Sequence, residues 1–149
     1  MYYSENAINL IKKTRKMVFK KEKLWNDRFY IGYSHMISIR ESIKFESISR
    51  KEALILLHKD LDRISKKIDK VISVNLTQNQ FDALVSLVYD IGLKVFLTSE
   101  LVELLNKKEY TKVCLMFVRF SRYKKKTVYR LAKSRKEEIK LFKSSSQDG

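Results

Sequence analysis

Residues able to move protons, bind metals or attack a substrate are few in this chain. The first forty positions hold three carboxylates, Glu5, Glu22 and Asp27; paired carboxylates are common equipment for general acid and base work. Two histidines, His35 and His58, and one cysteine, Cys114, are too few for a zinc cluster of ordinary spacing. A lone cysteine forbids an internal disulfide, and Cys114, set in an apolar run, reads as a small core residue. The three glycines, Gly32, Gly92 and Gly149, lie too far apart for a phosphate-cradling loop. No metal or cofactor is therefore expected. Charge is the stronger signal. With 32 Lys+Arg against 17 Asp+Glu the formal net charge is +15, which suits a polyanion: nucleic acid, anionic lipid or cell-wall polymer. Residues 12–28 carry eight Lys/Arg and two acids, and residues 119–143 carry eleven and two. These two segments supply the whole excess.

The elements that must position these residues follow from pattern. The 149 residues suffice for one domain or two small lobes sharing a core. Ser4 caps a first helix with Ile8, Ile11 and Val18 on one face. FYIGY at 29–33, then Ile37/Ile39 and Ile43/Phe45, alternate as in a small antiparallel sheet. Ser49 and Glu52 form a capping box, followed by Leu54, Leu57, Leu61, Ile64, Ile68 and Val71 at helical spacing. Thr77 and Gln80 form a second box, with Phe81, Leu84, Val85 and Val88 behind it and Gly92 as a left-handed stop. That segment is apolar on more than one side, so it belongs at the centre of the core. Thr98 or Ser99 opens a helix with Leu101, Leu104 and Leu105. Tyr110, Val113, Cys114 and Phe117 mark another, and the last runs from about Thr127 with Val128, Leu131, Ile139 and Phe142 inward. No apolar stretch approaches the roughly 18–20 residues of a membrane span. The first residues lack the basic-then-apolar order of a signal peptide, so the expected location is the cytoplasm of the producing cell.

Several segments are distinctive in themselves: NLIKK at 9–13, FYIGYSH at 29–35, ISRKEALILLHKDL at 48–61, LTQNQFDALVSLVYDIG at 76–92, FLTSELVELLN at 96–106 and RLAKSRKEEIKLF at 130–142. In this order they resemble the phage-type lysozymes, endolysins of glycoside hydrolase family 24, with their TIGYGH strand, LTQNQFDALVSFVFNVG core and GLxRRRxxExxLF terminus. The match spans about residues 8–142. The resemblance implies an α+β, mostly α fold. It is a single lysozyme-like domain over 1–143, with a small sheet-bearing lobe (about 1–48), a connecting helix (about 50–72), a helical lobe (73–143) and a disordered tail (144–149).

The resemblance also implies cleavage of the peptidoglycan glycan, which needs a general acid and a second carboxylate. An ungapped alignment from Leu10 to His35 places the family Glu on Arg15, the Asp on Leu24 and the Thr on Tyr30, so all three catalytic positions are lost. Arginine cannot deliver a proton at neutral pH. A gapped alternative aligns KLWND at 23–27 with the family's KAYRD and keeps Asp27 as the second carboxylate, still without an acid. Glu22 and Glu5 are the remaining substitutes, and a solvated turn is the plain reading of Asp27. Tyr33, His35 and Arg130 are expected at the cleft. His35 and the pair Arg135 and Glu138 read as hydrogen-bonding or ion-pairing supports, and His58 as solvent-facing. Further departures are Ser34 for a glycine, Arg130 for a glycine, Asp90 for an asparagine and Phe120 for a tryptophan.

Three functions follow as expectations. The first is a lysozyme fold of phage or prophage type that has lost most hydrolysis while still binding peptidoglycan or another anionic wall polymer. The second is an active lysozyme with relocated carboxylates. The third is a cationic binder of nucleic acid or membrane surface, in which Phe120, Tyr123 and Tyr129 stack on bases. The protein is expected to be a monomer. A holin-like export partner is implied by the resemblance alone.

Overall fold

In the computed structural model, residues 1–41 and 44–144 are described. Helix α1 (Glu5–Thr14) starts at Ser4, whose side chain accepts from the Asn6 amide. The Ser4 backbone N–H donates to Asp82 at 2.8 Å and its hydroxyl donates to the same carboxylate, so the first cap is pinned to the molecule's central helix. A sheet follows in the order β1 (Val18–Lys23), β2 (Phe29–Gly32) and β3 (His35–Met36), antiparallel throughout. Helix α2 (Arg50–Val71) and helix α3 (Gln78–Ile91) come next, each opened by its capping box. Four further helices complete the chain: α4 (Leu93–Thr98), α5 (Leu101–Asn106), α6 (Tyr110–Arg119) and α7 (Tyr129–Lys143). Between α6 and α7 lies a hairpin, β4 (Arg122–Tyr123) with β5 (Lys126–Thr127).

The core is built around α3. Every residue from Phe81 to Val88 is buried, as a helix apolar on several sides requires. Ile8 and Ile11 of α1, Leu57, Leu61, Ile64 and Ile68 of α2, Phe117 of α6 and Phe142 of α7 pack in the same cluster. Gly92 ends α3 at φ 87°, ψ 153°, a region essentially confined to glycine, and the chain turns at once into α4.

Five expectations are corrected. Val18 belongs to β1, not to α1, which stops at Thr14. The sheet spans 18–36 rather than 29–48. β1 is exposed along nearly its whole length, so it shows no alternation to read. Downstream, Ile37, Ile39 and Phe45 lie outside any strand, with Ile39 93% exposed and Ile43 outside the described residues. Thr98 closes α4 instead of opening α5, and the last helix begins at Tyr129, because residues 122–127 form the hairpin with Lys124 and Lys125 in its positive-φ turn. His58 is half-buried, its Nδ1 2.7 Å from the Tyr3 hydroxyl.

Leu84 is fully buried in α3. Leu84→Ala should lower unfolding free energy by about 2–5 kcal/mol. In urea titrations this appears as a lower midpoint at unchanged slope.

Candidate binding cleft and the buried charge network

The end of α1 turns a cation inward. Arg15 is the C-cap of α1, in extended backbone, and is 1% exposed. Its guanidinium lies 2.8 Å from Asp90 and 3.5 Å from Glu138, donates to the Ser86 carbonyl at 2.9 Å and to the Ser86 hydroxyl at 3.0 Å, and covers the Tyr89 ring. Asp90 also binds Arg135 at 2.5 Å and receives both Nη groups of Arg130 at 3.0 and 3.1 Å. Glu138 accepts from Arg135 Nε at 2.5 Å and from the Ser86 hydroxyl at 2.5 Å. Three arginines and two carboxylates from α1, α3 and α7 thus form one cluster, buried except at Arg130, whose side chain is 26% exposed.

Its electrostatics decide which groups can titrate. Burial opposes charge on Asp90, but Arg15, Arg135 and Arg130 outweigh it and hold the carboxyl far below its ordinary range. It is an anion at every physiological pH and cannot donate a proton. Burial lowers the pKa of Arg15 despite Asp90 and Glu138, consistent with a buried Nε that has no hydrogen-bond partner. Arg135 moves upward, since Glu138 and Asp90 exceed its desolvation.

Beside this cluster lies a cleft of about 640 Å³, bounded by Trp25, Tyr30, His35, Asp60, Arg63 and the α3–α4 junction at Asp90–Lys94. Two carboxylates line it, Asp60 and Asp90, and both are committed. Asp60 faces His35 Nδ1 at 2.6 Å and Arg63 at 3.5 Å. The other ring nitrogen of His35 faces both Glu41 oxygens at 3.3 Å. Burial works against a charged His35 ring, but Asp60 and Glu41 outweigh it and raise its pKa. The Trp25 ring lies tilted against Tyr30, 5.9 Å between centroids, and under the Arg130 guanidinium; its indole N–H is buried without a partner. A smaller hollow of about 150 Å³ adjoins through Tyr30 and holds Glu22, Leu24, Lys16 and Arg130 on its walls.

The residues singled out in the sequence are therefore dispersed. Tyr30, His35 and Arg130 meet at or beside the cleft, and Leu24 lines the small hollow. Arg15 is sealed beneath it. Tyr33 is buried in the core, its carbonyl accepting from the Tyr89 hydroxyl at 2.6 Å, and it lines neither space. The Asp27 side chain is 80% exposed on a turn at φ 60°, outside the cleft wall. Glu5 is exposed in the first turn of α1, about 15 Å along the helix from Arg15 at 1.5 Å per residue. Of the three aromatics considered for base stacking, Tyr129 is exposed, while Phe120 and Tyr123 are half-buried. Sequence reasoning did not single out Asp60 as the partner of His35, nor Trp25 as a wall. It noted Arg15 and Asp90 separately; their opposite signs were the available clue that they face each other.

Two outcomes follow. Asp90→Asn leaves Arg15 and Arg135 facing Glu138 alone and Arg130 without its carboxylate, and should cost about 3–5 kcal/mol, the scale for breaking a buried pair. Arg15→Met should cost less, because Asp90 keeps two arginines; chemical denaturation of both variants decides it. His35 has a folded pKa above its unfolded value of about 6.5. Its contribution is complete below that value and fades as pH rises through the folded pKa. The urea midpoint should therefore fall through this group as pH rises above about 6.5, and His35→Gln should remove that part of the slope.

Comparison with known proteins agrees with the geometry. Residues 18–138 match the family described as phage lysozyme. An endolysin of Acyrthosiphon pisum secondary endosymbiont phage 1 is 32% identical over 97% of this chain and 100% of its own length. An endolysin of Bacillus phage B103 is 34% identical over 95% of this chain, which spans 54% of that protein. The muramidase domain of SpmX from Asticaccaulis excentricus superposes with a TM-score of 0.79 at 28% identity, covering 95% of this chain and 97% of that domain.

Proposed function

Because the chain belongs to the phage lysozyme family, we propose that it is a peptidoglycan-directed protein whose cleft binds the glycan while hydrolysis is lost or greatly reduced. The observation that carries this reading is Arg15. The family resemblance assigns the end of α1 to the general acid, and there the side chain is a permanent cation bound 2.8 Å from Asp90.

The reaction needs a protonated carboxyl at the leaving oxygen and a second carboxylate facing the developing positive charge. Asp90 is fully ionised and shared among three arginines. Asp60 is held by His35. Leu24 and Tyr30, at the other two family positions, supply neither charge nor a small hydroxyl. Binding has better equipment. Trp25 and Tyr30 offer aromatic rings beside the cleft. Arg28, Arg63 and Lys94 on the rim favour an anionic polymer.

One observation favours a second reading. Glu22 stands on the wall of the hollow shared with Tyr30 and Arg130, which makes it the candidate for a relocated carboxylate. The test is turbidity loss of permeabilised Gram-negative cell-wall suspensions beside an active phage lysozyme. The expected result is no clearing at matched enzyme, with the protein sedimenting on the walls. Clearing at ordinary enzyme levels overturns the reading, and its disappearance in Glu22→Gln would assign the activity to the relocated acid.

A further inference from the structure

Outside the cleft, the outer face of α2 carries a ladder of cations. Lys59, Arg63, Lys66, Lys67 and Lys70 are all exposed and line one groove of about 500 Å³, together with Asp62 and Leu93. Spacings of 4, 3, 1 and 3 residues keep them on one side of the helix over roughly 16 Å. The segment holds acids too: Asp60 reaches Arg63 at 3.5 Å and Asp62 lies on the groove wall, but each has its main partner off the ladder. Asp60 faces His35, Asp62 accepts from the Tyr2 and Tyr3 hydroxyls at 2.6 and 3.0 Å, and Asp69 lies 2.6 Å from the Met1 amino group. Among the described residues, none of the four lysines has an ion-pair partner.

Such a ladder is unfavourable in the free protein. Lys59 and Arg63, Arg63 and Lys67, and Lys66 and Lys70 are like-charge pairs four apart, each mildly destabilising to a helix. An anionic occupant relieves that repulsion. Continuity indicates which one: Arg63 and Leu93 line both this groove and the cleft, so a polymer leaving the cleft at that end passes directly onto the ladder. The groove has no aromatic wall, and single-stranded nucleic acid binding uses stacking platforms. We propose that the α2 groove is an accessory site for the carboxylate-bearing peptide stems of the strand whose glycan occupies the cleft. The site rests on the peptidoglycan-directed reading. Its chemistry is charge pairing along a row of carboxylates, with no bond made or broken.

The test is co-sedimentation of the full chain with two preparations of sacculi: intact, and with stem carboxylates capped as neutral amides by carbodiimide coupling. The wild type should bind intact sacculi about tenfold more tightly at low salt, the scale of three exposed ion pairs, and the difference should shrink as salt rises. The triple variant Lys66→Gln/Lys67→Gln/Lys70→Gln, with helix content checked by circular dichroism, should bind both preparations as the wild type binds the capped one. Equal binding of the wild type to both, or an unaffected variant, overturns the site and leaves the peptidoglycan reading standing. No binding to either overturns both. A variant that loses affinity only for duplex DNA assigns the groove to nucleic acid and also overturns the proposal.

Discussion

Three arginines, two of them fully buried, and two buried carboxylates tie α1, α3 and α7 into one arrangement beside the cleft. Arg15, Arg130 and Arg135 meet Asp90 and Glu138 where α1, α3 and α7 converge. Taking charges out of water costs several kcal/mol per ion, and only close, well-satisfied geometry recovers it. The recovery here is uneven. Asp90 and Glu138 are saturated with donors, while Arg15 retains an unpaired Nε. Removing Asp90 strands Arg130 and leaves Arg15 and Arg135 to Glu138, whereas removing Arg15 leaves both carboxylates paired.

That cluster braces the floor beside the cleft where α1, α3 and α7 converge. In the family pattern the α1 terminus presents a carboxylate to the substrate. Here the same backbone position presents a cation to Asp90, itself in the place of a family asparagine. The two departures compensate in charge, and the guanidinium is drawn down into the protein instead of out into the cleft. The positive excess at this point is therefore internal charge balance, whereas the free cations of the surface lie elsewhere, notably along α2. The helix junction is held by an ion cluster in which the buried Asp90 carboxylate has no proton to give.

Local signals in the chain were sufficient for much of the fold. Both capping boxes, the 3–4 spacing of leucines in α2, the all-round burial of α3 and the stop at Gly92 are dictated within a few residues, by hydrogen-bonding side chains and backbone sterics. The strand β1 was not legible, because a strand exposed on both faces has no hydrophobic period. Nor were α4 and the β4–β5 hairpin, each too short to display one. At the site, His35 was read as a support from its place after the strand, but its partner Asp60 lies 25 residues away on another element.

The sequence by itself determined the family, the two capping boxes and a cation at position 15, since residue identity and short-range spacing are sufficient for each. Only the tertiary structure decided where the charges went. Arg15 and Asp90 are 75 positions apart in the chain and 2.8 Å apart in space. Asp27 is a turn residue facing solvent, Tyr33 is core, and the lysines of α2 form a ladder because its acids turn to other partners. Coulomb interactions depend on distance and burial, and neither is a property of the chain until helices remote in sequence have packed.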